Sequence, residues 1–120
     1  MESTPHRQTW ELYAKACITT DEDDRRILLD QSVAPACVYT DPLQQCLGLG
    51  EFIAMLLRFQ RAYPGNSFRT TRFVEHNGRA LADWDQVDGE GNVVVTGTSY
   101  SRRGDGGRLV EMTGFFPTPG

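Results

Sequence analysis

GNSFRTTRFVEHNGRALADWDQVDGEGNVVVTGTSYSRRGDGGRLVEMTGFF, residues 65–116, decides the architecture. Three turn signals, Asn77-Gly78, Asp88-Gly89-Glu90-Gly91 and Gly104-Asp105-Gly106-Gly107, cut it into four long β-prone runs. The reading is a four-stranded antiparallel meander. A two-residue turn at Asn77-Gly78 pairs His76 with Arg79. That register puts Thr71, Phe73, Ala80, Ala82 and Trp84 on an apolar face and Arg72, His76, Arg79, Asp83 and Asp85 on a charged one. A four-residue loop at the last turn gathers Val93, Val95, Gly97 and Ser99 with Val110, Met112, Gly114 and Phe116 on the inward face. Val94, Thr96, Tyr100, Leu109, Glu111 and Phe115 then face outward. With Val87 opposite Asn92 at the middle turn, both inward faces fall on one side. Gly97 and Gly114 inside strands suit a strongly bent sheet.

Upstream the periodicity is helical. Thr4-Pro5 reads as a cap with proline at the first helical position, followed by Trp10, Tyr13, Ala14 and Cys17 at helical spacing. Thr20 before Asp21, Glu22, Asp23 and Asp24 reads as a second cap with acids crowding the first turn, where the helix dipole favours negative charge; Ile27 and Leu28 supply its buried side. Ala34-Pro35 breaks that helix. From Ala36 to Thr40 a short strand follows, with Cys37, Tyr39 and Asp41 on one face and Pro42 at its end. Gly48 and Gly50 lead into a third helix with a stripe of Phe52, Leu56, Phe59 and Tyr63, stopped by Pro64-Gly65. Helix, helix, strand, helix and four strands make an α+β domain spanning 1–120, its helices segregated onto one face of a curved, mainly antiparallel sheet.

Composition bounds the function. The 120 residues carry 12 basic and 16 acidic side chains, a net charge of −4, with no basic cluster to meet phosphates, so no nucleic-acid partner is expected. The apolar stretch 52–57 is far short of a membrane span, and residues 1–9 lack the pattern of a secretory signal, so the expected location is the cytoplasm. Cys17, Cys37 and Cys46 are odd in number and have no histidine at ligand spacing, which argues against a disulfide framework and a structural zinc. The Gly-rich stretches are hairpin turns rather than phosphate-cradling loops, so no metal or other cofactor is expected. His6 reads as part of a frayed end, and His76 as a surface hairpin residue.

The element order, Tyr39-Thr40-Asp41-Pro42 followed by Gly50-Glu51-Phe52, Pro64-Gly65 after the third helix, and the closing Gly114-Phe115-Phe116 together resemble the NTF2-like superfamily over nearly the whole chain. The likeness is to its SnoaL-like and ketosteroid-isomerase-like branch. It implies a cone-shaped fold around one apolar pocket and a homodimer. It also implies chemistry: Tyr13 matches the tyrosine that hydrogen-bonds the substrate carbonyl, and Asp41, directly before Pro42, matches the general base. The family's protonated aspartate falls at Ser99, a weaker donor to an oxyanion. The epoxide-hydrolysing branch uses an Asp-Arg-Asp set inside the cone, which the inward positions do not supply.

Two functions follow from different classes. One is proton transfer on an apolar carbonyl compound, by an isomerase, cyclase or dehydratase without a cofactor, with Asp41, Tyr13 and Ser99 catalytic. The other is a non-catalytic ligand-binding or scaffolding module, in which Asp41 caps a strand end and Tyr13 belongs to the core. Cys17, Tyr39, Phe52, Met55, Phe59, Phe73, Trp84, Met112 and Phe116 are the expected pocket lining for a small apolar ligand. The apolar outer sheet face around Tyr100, Leu109 and Phe115 is expected to pair with a second copy of the chain.

Overall fold

The computed structural model describes residues 4–118. Helix α1 (Pro5–Ile18) starts at the expected cap, the Thr4 hydroxyl accepting from the Arg7 N–H. Helix α2 (Glu22–Ser32) is capped by Asp21, whose carboxylate accepts from the Asp24 N–H at 3.0 Å, one residue later than the expected Thr20. Its inward row is therefore Arg25, Leu29 and Ser32, while Ile27, expected inside, is 56% exposed. Arg25 is buried because its guanidinium donates to the carbonyls of Thr19 and Thr20 at the end of α1.

Strand β1 (Val33–Asp41) follows α2 without a gap, so Ala34-Pro35 lies inside a strand instead of preceding one. The register of β1 is broken between Val33 and Val38, where a residue without an N–H is tolerated. Strand β2 (Gln44–Leu47) pairs antiparallel with β1 and is too short for alternation to betray it in the sequence. Helix α3 (Leu49–Ala62) and strands β3 (Ser67–His76), β4 (Arg79–Val87), β5 (Val93–Arg103) and β6 (Leu109–Phe115) complete the chain. The sheet has six strands in the order β2-β1-β6-β5-β4-β3, with β1 parallel to β6 and every other pair antiparallel. It is curved and not closed into a barrel, and the α+β class stands.

Bulges refine the faces. His76 pairs with Arg79 as expected, but a bulge between Thr70 and Arg72 sets Thr70, not Thr71, opposite Trp84. Phe68 and Thr70 thereby turn inward in place of Arg69. Val87 pairs with Val93 and not Asn92, and Val93, expected inside, is 51% exposed at the strand end. Near the last turn Leu109 pairs with Arg103 and is fully buried, where an outward position was expected.

His6 is not frayed. It is fully buried, its Nε2 lies 3.0 Å from Ser101 Oγ, its Nδ1 lies 3.7 Å from Glu75 Oε2, and Phe73 meets its ring edge-on. Burial, the largest influence, lowers its pKa below 6.5; Arg103 pushes the same way and Glu75 opposes. The unfolded chain therefore takes up the His6 proton first as pH falls, and the stability His6 contributes above pH 6.5 is lost below it, with a slope of at most about 1.4 kcal/mol per pH unit. Urea midpoints at about pH 7.5 and about pH 5.5 should fall less in His6→Gln than in the wild type. Equal falls would contradict the assignment.

Candidate functional site

A cavity of about 440 Å³ opens between α1, α3 and the inner face of the sheet, within the size range of small-molecule sites. Helix α1 contributes Trp10, Tyr13 and Cys17, and α3 contributes Met55, Arg58 and Phe59. From the sheet come Tyr39, Asp41, Phe68, Thr70, Trp84, Gln86 and Ser99, with Phe116 just beyond β6. Every third or fourth residue of a helix and every second residue of a strand reaches one side, so each element offers a short row of side chains to the cavity.

Asp41, 9% exposed, sits where β1 turns into β2. Its Oδ1 accepts the backbone N–H groups of Leu43 and Gln44 at 2.8 and 3.1 Å; its Oδ2 accepts the Tyr39 hydroxyl at 2.7 Å and Gln44 Nε2 at 3.0 Å. Two of these donors are backbone and fix the carboxylate, while Gln44 Nε2 is the end of a half-buried side chain. Burial first, and the bond to Asp41 second, push the Tyr39 phenol far above its usual pKa, so it stays a donor. Gly114 lies beside these groups on β6. A Cβ there would stand 3.6 Å from Asp41 Cβ, 3.7 Å from Ser99 Oγ and 3.8 Å from the Tyr39 hydroxyl, which shows how these three groups converge.

Ser99 accepts a hydrogen bond from Trp84 Nε1 at 3.0 Å, which leaves its own O–H proton free to donate. Trp84 is held edge-on between Phe68 and Phe116. Tyr13 packs against Trp10 and Phe52, and its hydroxyl meets the Cys17 thiol one turn further along α1. Burial raises the Tyr13 phenol well above its usual range, and pushes the Cys17 thiol up to about 12, so both remain protonated near neutral pH. Cys37 and Cys46 are likewise raised by burial, and all three thiols are unpaired and buried.

The structure thus brings Asp41, Tyr13 and Ser99 to one cavity, with Cys17, Tyr39, Met55, Phe59, Trp84 and Phe116 on its wall. Phe52, Phe73 and Met112, expected on the wall, lie off it. Phe52 is fully buried between Tyr13 and Tyr39, Phe73 packs on His6 and Trp10, and Met112 is sealed beside Tyr39 on the neighbouring strand. Sequence reasoning missed Arg58, Gln44, Thr70 and Gln86. For Gln86 a signal existed: it follows Trp84 by two on the inward alternation of β4. His76 is exposed on its hairpin, as expected. Among the described residues there is no group of three His, Cys, Asp or Glu side chains able to hold a metal, and no helix long and apolar enough to cross a membrane.

No protein-family model matches the chain, and no curated protein matches it. Solved structures do. A candidate isomerase of the SnoaL-like family from Agrobacterium tumefaciens superposes with a TM-score of 0.88 at 26% identity, covering 97% of this chain and 100% of that one. A candidate SnoaL-like polyketide cyclase from Jannaschia gives 0.77 at 13% identity over 97% of this chain and 90% of its own. A candidate ketosteroid isomerase from Kribbella flavida gives 0.71 at 18% identity over 97% and 80%. The fold is that of the NTF2-like superfamily. Within that fold, the structure is similar to that of the SnoaL-like protein from Agrobacterium tumefaciens.

Proposed function

We propose that the chain is a small cytoplasmic enzyme that needs no cofactor and moves a proton beside the carbonyl of an apolar, cyclic substrate, as an isomerase, cyclase or dehydratase. The observation that carries this is the meeting of Asp41, Tyr13 and Ser99 in one largely apolar cavity. Asp41 Oδ2 takes the proton once the Gln44 amide swings aside; the C–H electron pair forms the enolate, and the Tyr13 and Ser99 hydroxyls donate to the developing oxyanion. The protonated Asp41 then returns its proton to the same carbon or another. Buried aromatic walls strengthen these hydrogen bonds by excluding water.

One observation favours the rival reading of a binding module: four donors fill the lone pairs of Asp41 in the manner of a strand-end cap. Proton NMR of a panel of cyclic ketones in heavy water decides between them. Deuterium appearing beside the carbonyl supports proton transfer; line broadening that reports binding, with no exchange for any ketone, overturns it.

The proposal includes a homodimer through the outer sheet face. Val74 and Leu81 are cross-strand neighbours, 43% and 47% exposed, Tyr100 stands next to Leu81, and Phe115 is 60% exposed on the same face. That apolar row is costly to leave in water. The wild type is expected to sediment as a dimer at micromolar concentration and Leu81→Glu as a monomer. A monomeric wild type would refute it.

A further inference from the structure

We infer that Gln86 forms a second polar subsite, its side-chain amide taking a hydroxyl or carbonyl oxygen that the substrate carries at the end remote from the reacting carbonyl. The inference rests on the proposed function for what happens at the Asp41 end, and on independent observations for the Gln86 end. Gln86 is 6% exposed, lines the cavity, and its Nε2 has no hydrogen-bond partner among the described residues. Buried amides are almost always satisfied, because an unmade hydrogen bond forfeits the water that solvated the group.

The surroundings explain why no protein group satisfies it. Gln86 pairs with Phe68 on β3 and Val95 on β5, both apolar and both on the cavity wall. Strand alternation fixes it inward in the row Ala80, Ala82, Trp84, Gln86, so the amide has no route to solvent on the outer face. A position that is apolar on both flanks and still carries an amide presents that amide to whatever fills the cavity. The amide holds both donors and an acceptor, so it suits a hydroxyl, which does both, or a carbonyl, which accepts.

Register sets the span. Ser99 pairs with Ala82, four residues along β4 from Gln86, which is about 13 Å on a strand. The two groups thus stand well apart on one cavity wall, and a ligand that meets both carries two well-separated oxygens. A rigid body of two fused rings with one oxygen on each ring has that form. The ligand is accordingly a ketone that carries a second oxygen, not a simple hydrocarbon ketone.

Decalone and a hydroxydecalone bearing its hydroxyl on the second ring are the probes. The hydroxydecalone is expected to bind the wild type about tenfold more tightly, the worth of one buried hydrogen bond, and to shift the Gln86 side-chain amide resonances in nitrogen-edited NMR. In Gln86→Met the two probes should bind equally, while the melting temperature of the ligand-free protein rises, because an unsatisfied buried amide has been replaced by an apolar chain of similar length. Equal binding to the wild type, a preference that survives in Gln86→Met, binding of neither probe, or a lowered melting temperature would each overturn the subsite. Exchange beside the carbonyl is read in the same samples. A hydroxyl preference without exchange would keep the subsite and remove proton transfer, and exchange without the preference would do the reverse.

Discussion

Asp41→Asn is expected to slow deuterium exchange beside the carbonyl by about 10²–10⁴-fold, the usual worth of a positioned general base, while the protein keeps its fold and its ligand affinity. The hydrogen bonds say why the two effects separate. An asparagine oxygen can still accept the Leu43 and Gln44 N–H groups that the carboxylate Oδ1 accepts, so the β1–β2 turn keeps its cap. On the other side an NH2 group replaces Oδ2. Tyr39 can turn its hydroxyl to accept from it, and the Gln44 side chain, which now meets a donor, can present its carbonyl instead. The net cost in stability should stay within about 1 kcal/mol. What cannot be replaced is the basic lone pair. Wild-type exchange that survives undiminished in Asp41→Asn would remove Asp41 from the chemistry and return it to the cap.

Most of the candidate cavity lining was legible because its residues lie on uninterrupted periods. Tyr13 shares a helical face with Trp10 and Cys17, and Asp41 follows Cys37 and Tyr39 by steps of two on one strand. Ser99 was legible for a subtler reason. The four-residue loop read at the last turn would pair Ser99 with Met112, yet it pairs with Gly114: the turn slips by one residue and the bulge at Arg102/Arg103 by another. Two slips restore the face, whereas Leu109, which lies between them, feels only one and flips inward. The middle turn behaves alike, so Trp84 and Gly97 kept their inward faces although their partners were displaced. The bulge at Thr70/Arg72 is uncompensated, and there Thr70 and Phe68 could not be foreseen on the wall. Nothing in a Thr-Thr step announces which threonine the bulge expels. The Thr70 hydroxyl, once inward, accepts from Trp10 Nε1 at 3.1 Å and ties α1 to β3, a bond that depends on the bulge alone. Leu43 and Gln44 escaped notice because their roles are set by backbone N–H groups and a four-residue strand, neither of which leaves a pattern in side-chain chemistry.

Gly97→Ala is expected to destabilise the protein by about 1–3 kcal/mol, and to disturb the cavity as it does so. Gly97 stands opposite Trp84 across β4 and β5, and the indole occupies the space a side chain would take. An added Cβ would fall 2.6 Å from Trp84 Cη2, closer still to Cζ2, and 2.8 Å from the Phe115 carbonyl oxygen. The carbonyl belongs to a paired strand and cannot retreat. Trp84 is no freer, since its Nε1 is committed to Ser99 and its ring is wedged against Phe68 and Phe116. The strain must therefore move the indole, which frees the Ser99 Oγ from its donor and tilts the wall between the Asp41 and Gln86 ends of the cavity. The sequence placed this glycine in the strand for its bend; the structure gives it a second task, to make room for a tryptophan lying across the sheet. Because the clash is shared, it should couple: Trp84→Phe alone loses the bond to Ser99, but in the Gly97→Ala background the smaller ring relieves part of the overpacking, so the double variant should be more stable than the sum of the two losses predicts. Denaturant unfolding of the four proteins measures that interaction. Strict additivity, or a Gly97→Ala variant as stable as the wild type, would mean that the indole has somewhere else to go and that the cavity wall is softer than its packing implies.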